Sequence, residues 1–208
     1  MGRSAKIQID ARKNPKQSRS GVLVSAILEA AVRVLRAEGA ARFTTARVAE
    51  RAGISVGSLY QYFPNKAAIL FRLQSDEWKQ TAAEAHLILA DADTPPIERM
   101  RVLVHRFVQS ECDEAAIRMA LQAAVPGIRD EPDPEDTGGQ GMLEILVHQV
   151  LAHRPEAARQ VAAELVDTTL GEVARRFSER PRTLDEIERH AEAMADMFES
   201  YLRHAAAN

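Results

Sequence analysis

Phe43-Thr44-Thr45-Ala46-Arg47-Val48-Ala49-Glu50-Arg51-Ala52-Gly53-Ile54-Ser55-Val56-Gly57-Ser58-Leu59-Tyr60-Gln61-Tyr62-Phe63-Pro64-Asn65-Lys66 is the stretch whose reading decides the fold. Either Thr44 or Thr45 can cap a short helix whose inward residues are Val48, Ala49 and Ala52, and Gly53 stops it. Ser55 caps a second helix that runs through Leu59 toward Phe63, until Pro64 and Asn65 break the chain. Two short helices joined by the turn Gly53-Ile54 make a helix-turn-helix. A longer apolar period just upstream, Leu23, Ile27, Ala31, Val34 and Leu35, predicts a helix over about 18–38 with Gly39 as its stop, and supplies the third wall of a small core.

The faces of this motif divide its labour. Phe43, Val48, Ala49, Ile54, Leu59 and Phe63 are the apolar positions expected inside. Val56, Gly57, Ser58, Tyr60 and Gln61 remain on the other face of the second short helix, small or polar enough to enter a major groove. Gly57 permits close approach, Ser58 and Gln61 can hydrogen-bond base edges, and the Val56 methyls suit a thymine methyl. Tyr60, Tyr62, Thr44 and Thr45 offer hydroxyls to phosphate, the threonines near a helix N-terminus that already favours anions, and Lys66 adds a charge. Taken singly, Tyr60 or Tyr62 can instead pack on the first helix, and Lys66 can simply be solvated.

Charge supports the same division. The net charge of −3 averages two unlike segments. Residues 1–66 hold twelve Lys and Arg against four Asp and Glu, a balance of +8, whereas the remainder holds fifteen against twenty-six, a balance of −11. Such asymmetry is expected when one part meets a polyanion and the other does not. Residues 1–17 read as a flexible basic arm, 18–66 as the helix-turn-helix domain and 67–208 as a second domain. In that second part, helical periods cover about 66–90, 97–108, 114–125, 142–153, 155–179 and 183–206. The acidic stretch Pro126 to Gly141 reads as an exposed loop. No alternating run is long enough for a strand, so the chain reads as all-α with about nine helices, an N-terminal three-helix domain followed by a helical bundle. In the last helix Leu184, Ile187, Ala191, Met194, Phe198 and Tyr201 are spaced 3, 4, 3, 4 and 3, a seam read as the interface of a symmetric dimer in preference to an ordinary core-facing helix.

Composition excludes other classes. With a hydrophobic fraction of 46% and a charged fraction of 27% the chain has a packed core rather than global disorder. A single cysteine, Cys112, precludes an intramolecular disulfide and fits a reducing cytoplasm. The opening residues lack the apolar region of a signal peptide, and no apolar run reaches the roughly 20 residues that span a bilayer. The six histidines are scattered without an i, i+4 pair or a Cys-x-x-Cys, and no nucleophile, P-loop or dinucleotide fingerprint occurs. The expectation is therefore a non-enzymatic protein without metal or cofactor.

The stretch from Ala52 to Lys66, above all Leu59-Tyr60-Gln61-Tyr62-Phe63 followed by Pro64 and Lys66, closely resembles the DNA-binding domain of the TetR family of bacterial transcription regulators, over about residues 20–75. The resemblance implies a homodimer formed by the last two helices, a palindromic double-stranded DNA operator and repression that a small-molecule effector relieves. It also implies an effector pocket among the middle helices, lined by residues such as Trp78, Met100, His105, Phe107, Met119, Met142 and His148, with His105 or His148 as polar anchor for an apolar or aromatic ligand. Met and aromatic side chains at helical spacing also fill cores, and that alternative stands beside the pocket. Two rival functions remain at this point, an architectural DNA-binding protein that needs no effector and an all-helical enzyme whose helix-turn-helix is incidental.

Overall fold

The computed structural model describes residues 18–126 and 142–207, with side chains described from Ser20 to Pro126 and from Leu143 to Ala207. The basic arm, the acidic loop from 127 onward and the Met142 side chain lie outside the described residues. Eight α-helices occur among them: α1 (Ser18–Glu38), α2 (Thr45–Ala52), α3 (Val56–Tyr60), α4 (Lys66–Ala90), α5 (Pro96–Ala124), α6 (Met142–Val150), α7 (Glu156–Ser178) and α8 (Leu184–Ala207). A single 3-10 turn, Ala40–Arg42, follows α1. No strand is present among the described residues. The count is one fewer than the nine expected, because the periods over 97–108 and 114–125 belong to one helix. Nothing between Val108 and Glu114 breaks a helix, and Ser110 Oγ donates to Glu114 Oε1 at 2.8 Å one turn on, so the chain continues through.

The described chain forms two compact units, 18–76 with 116–126, and 77–115 with 142–207. In the first, α1 buries Val24, Ile27, Ala30, Ala31, Val34 and Leu35 on one face. These pack with Phe43, Val48, Ala49, Leu59 and Phe63 of the helix-turn-helix, with Ile69, Leu70 and Leu73 of α4, and with Ile117, Ala120 and Leu121 of α5. The expected inward residues are buried except Leu23, Ala52 and Ile54, which are half-buried against the same cluster. The α4 and α5 segments in this unit lie past the 18–66 boundary read from the sequence, since a three-helix head leaves apolar surface that Ile69, Leu70 and Ile117 cover.

The second unit is built on Met100, Val104 and Val108 of α5, Leu146 and Val147 of α6, Ala162, Val166, Leu170 and Ala174 of α7, and Ile187, Ala191, Met194, Phe198 and Leu202 of α8. Ala162, Val166, Leu170 and Ala174 recur at every fourth position of α7 and form one buried ridge. The regular seam of α8 is therefore spent inside the chain. Ile187, Ala191, Met194 and Phe198 are buried and Tyr201 packs against the same core, whereas Leu184 is exposed. Side chains buried by their own chain offer little surface to a second copy, and Leu184 alone of the six is exposed. A reciprocal capping box starts α8, with Thr183 N–H donating to Glu186 Oε2 at 2.8 Å and Glu186 N–H to Thr183 Oγ1 at 3.2 Å. Among the described residues no helix is long and apolar enough to cross a membrane, and no group of three or more potential ligands is placed to hold a metal ion.

Candidate nucleic-acid interface

Local hydrogen bonds set the angle between the two short helices. Thr44 is extended, at φ −136° and ψ 153°, and its Oγ1 accepts from Arg47 N–H at 3.3 Å, capping α2. At the other end Gly53 is left-handed, at φ 71°, and donates to the Glu50 carbonyl at 3.1 Å while Ile54 N–H donates to the Ala49 carbonyl at 3.0 Å. Those two bonds constitute a Schellman motif, and a positive φ is why a glycine stands there. Ser55 then caps α3, its Oγ accepting from Ser58 N–H at 3.0 Å and lying 2.8 Å from Ser58 Oγ. The regular part of α3 ends at Tyr60, and Phe63 N–H still reaches the Leu59 carbonyl at 3.0 Å, which carries the chain round to bury Phe63.

The faces of α3 separate cleanly. Leu59 is fully buried, while Val56, Gly57, Tyr60 and Gln61 are exposed and Ser58 is half-buried. At Gly57 an added Cβ would meet only Ser55 Oγ, at 3.8 Å. The chain itself has no packing need for a glycine at that point. Gln61 and Lys66 are exposed and their side chains have no hydrogen-bond or ion-pair partner among the described residues. The Thr45 hydroxyl and the Tyr60 hydroxyl lie 3.2 Å apart, which ties the start of α2 to the end of α3. Thr44 has its oxygen engaged in capping, and Tyr62 is half-buried against the core, so these two are held more by the fold than the others.

Two cations went unnoticed in the sequence reading. Arg42 and Arg51 are exposed and form no ion pair among the described residues, unlike Arg47, which pairs with Glu38. The +8 balance of the segment was their signal, but only the helix faces show which arginines remain uncommitted. Asn65 was also read merely as a chain breaker; its Oδ1 accepts from Ala68 N–H at 2.9 Å and so caps α4, placing Lys66 in the first turn.

Of the seven residues expected around an effector, the side chains of six are described, all but Met142. Met100 is fully buried in the core of the second unit, with Phe107 packed against it. Met119 belongs to the first unit and is exposed. Trp78 is half-buried. His105 is held between carboxylates, its Nε2 2.8 Å from Glu192 and its Nδ1 3.5 Å from Glu188. His148 lies 4.0 Å from Glu144, and its Nε2 is buried with no hydrogen-bond partner among the described residues.

Residues 27–73 match the family model of bacterial regulatory proteins of the tetR family, and residues 95–205 match the tetracyclin repressor-like C-terminal domain, which alone spans more than half of the chain. The chain belongs to the TetR family. Over 80 residues it is 35% identical to the nucleoid occlusion factor SlmA of Vibrio campbellii, a match that spans 38% of this chain and 40% of SlmA. Similar solved structures extend over most of the chain. The TetR transcriptional regulator SCO0520 of Streptomyces coelicolor is 26% identical at a TM-score of 0.57, covering 86% of this chain and 97% of its own. The regulator FadR of Bacillus subtilis, solved in complex with stearoyl-CoA, is 14% identical at a TM-score of 0.59, covering 84% and 96%. Membership makes this TetR-family chain a DNA-binding regulator with an N-terminal helix-turn-helix and a helical C-terminal domain.

Proposed function

We propose that this TetR-family chain is a repressor that binds a palindromic operator as a homodimer and is released by a small-molecule effector. The observation that supports it most is the open face of α3. Val56, Gly57, Tyr60 and Gln61 stand exposed on a helix whose ends are capped and whose opposite side is buried. Gln61 and Ser58 read base edges, Val56 meets thymine methyls, and Gly57 admits the edge of the groove. Lys66, Arg42, Arg51, Thr45 and the two tyrosines hold phosphates and so set the register without reading sequence. A two-fold dimer sets two such helices about 34–36 Å apart, in successive major grooves.

The burial of the α8 seam within its own chain favours a dimer face elsewhere on the last two helices. Val161 and Leu165 on α7, 63% and 50% exposed, and Met197 on α8, 48% exposed, are apolar side chains left outside the core of the second unit. They keep the pairing on the last two helices, as the family resemblance implies, and move it to the opposite faces. Effector release follows from differential affinity: a ligand that prefers the conformation with poorly spaced heads withdraws the protein from DNA by no more than that preference. FadR of Bacillus subtilis, with stearoyl-CoA bound, is an example of a like fold that carries a ligand. Selection of bound duplexes from a random pool tests the proposal. A two-fold-symmetric site supports it; an enriched but asymmetric site contradicts the dimer, and a lack of enrichment favours an architectural DNA-binding protein.

A further inference from the structure

The end of α7 carries a concentration of charge that no part of the DNA reading uses. Arg175-Arg176-Phe177-Ser178-Glu179-Arg180-Pro181-Arg182 places four of the fifteen basic residues that follow Lys66 within one short stretch of an otherwise acidic half of the chain. All four arginines, with Phe177 and His190, line an open cleft of about 640 Å³. That volume falls in the range of small-molecule sites.

The arginines of this cleft differ from others in the same unit. Arg101 pairs with Glu192, Asp196 and Glu199, Arg106 with Glu84, Arg159 with Glu156, Arg189 with Asp185 and Arg203 with Glu199. Arg176, Arg180 and Arg182 form no ion pair within 4.0 Å among the described residues, although Glu172 and Glu179 line the same cleft and Glu186 feels the charge of Arg182. The helix dipole accounts for cations in the last turn, Arg175 and Arg176, but Arg180 and Arg182 lie beyond it. Arg182 is held in place: its Nε donates to the Phe177 carbonyl at 2.9 Å, and its guanidinium carbon sits 4.2 Å from the centre of the Phe177 ring. His190 stacks on that ring at 3.9 Å with planes 3° apart, so it and Arg182 occupy opposite faces. A guanidinium fixed by stacking and one hydrogen bond keeps its other N–H groups free for a planar or tetrahedral oxyanion at little further cost in entropy. His190 adds a polar group that the fold leaves unsatisfied, its Nε2 buried without a partner among the described residues.

We infer that this cleft binds a small multivalent oxyanion, a compound bearing phosphate or carboxylate groups that Arg176, Arg180 and Arg182 neutralise together. The Phe177 faces are already taken by His190 and Arg182, so recognition is by charge and hydrogen bonds and not by stacking of the ligand. His190 reports occupancy. Burial first, and then the charge of Arg182, hold its imidazolium below the ordinary histidine range, and an anion beside it reverses the second effect. The site is separate from the helix-turn-helix, and the inference stands whether or not α3 reads DNA.

The full chain is titrated with inorganic pyrophosphate, and in parallel with citrate, by calorimetry and by NMR of the His190 ring, with chloride as reference. Saturable binding is expected, with an upward move of the His190 titration that chloride does not reproduce. The stronger of the two probes assigns phosphate or carboxylate. The double variant Arg176→Gln, Arg180→Gln is expected to lose about tenfold or more in affinity with unchanged circular dichroism, and Glu179→Gln to bind more tightly. Three results overturn the inference: no saturable binding of either probe, affinity unaltered in the double variant, or perturbations confined to residues 20–76 while His190 does not respond.

Discussion

At the scale of single residues the interface is a contrast between side chains used by the fold and side chains left over. Gln61 and Lys66 have no partner among the described residues, and they are assigned different work. Lys66→Ala should weaken binding to every sequence and lower the slope of log affinity against log salt by about one per subunit; a salt series of anisotropy titrations measures it, and an unchanged slope removes Lys66 from the phosphates. Asp167 shows a residue that the fold holds at a loss. Burial, and next the nearby charge of Glu144, push its carboxyl above the usual aspartate range. The folded chain thus holds this proton more tightly than the unfolded chain, and stability falls as pH rises from the ordinary aspartate value through the raised one. Asp167→Asn should raise the melting temperature at pH 7, and the gain should vanish below about pH 4, where both states are protonated. Such a residue is invisible in sequence, because nothing in Leu165-Val166-Asp167-Thr168 says that α6 will bring Glu144 beside it.

At the scale of elements the helix-turn-helix was legible and the bundle less so, for a physical reason. Caps and stops are local: Thr44, Gly53 and Ser55 each act on backbone groups within a few residues, and the sequence spacing alone shows where they must act. Replacing Gly53 by Ala meets no steric contact, so its cost is the left-handed backbone alone, about 1–2 kcal/mol of stability by urea unfolding. Thr44→Ala should cost about 1 kcal/mol through the lost cap. The direction in which a helix faces is not local. The 3-4 spacing of α8 is the same whether it packs on its own chain or on a partner, and the long periods of α5 look like two helices until one asks whether anything separates them. Phe198→Asp should destabilise the fold by about 4 kcal/mol or more, since it buries an unpaired charge, and not merely separate subunits. Val161→Glu with Leu165→Glu should do the reverse, leaving circular dichroism intact while sedimentation shows monomers; a persistent dimer would place the interface elsewhere.

At the scale of the whole molecule the net charge of −3 conceals two chemistries in one chain. A basic head presents cations and a small-residue helix to a polyanion, and an acidic body repels it, which limits indiscriminate adhesion to DNA. Within that body the arginines at the end of α7 are the exception, and their concentration was plain in the sequence only as Arg175-Arg176 and Arg180-Pro181-Arg182, not as a cleft. Of the effector residues expected from the family, Met100 serves the core of one unit and Met119 stands exposed in the other. The central claim is that α3 reads base edges, and it is tested most directly by the ratio of affinities for a selected duplex and its shuffled counterpart, measured at one salt concentration for the natural chain and for Gln61→Ala. The natural chain should show a ratio of about a thousand or more, with a clear fall in the variant while affinity for the shuffled duplex stays the same. A ratio near one, or an equal loss on both duplexes, would contradict it.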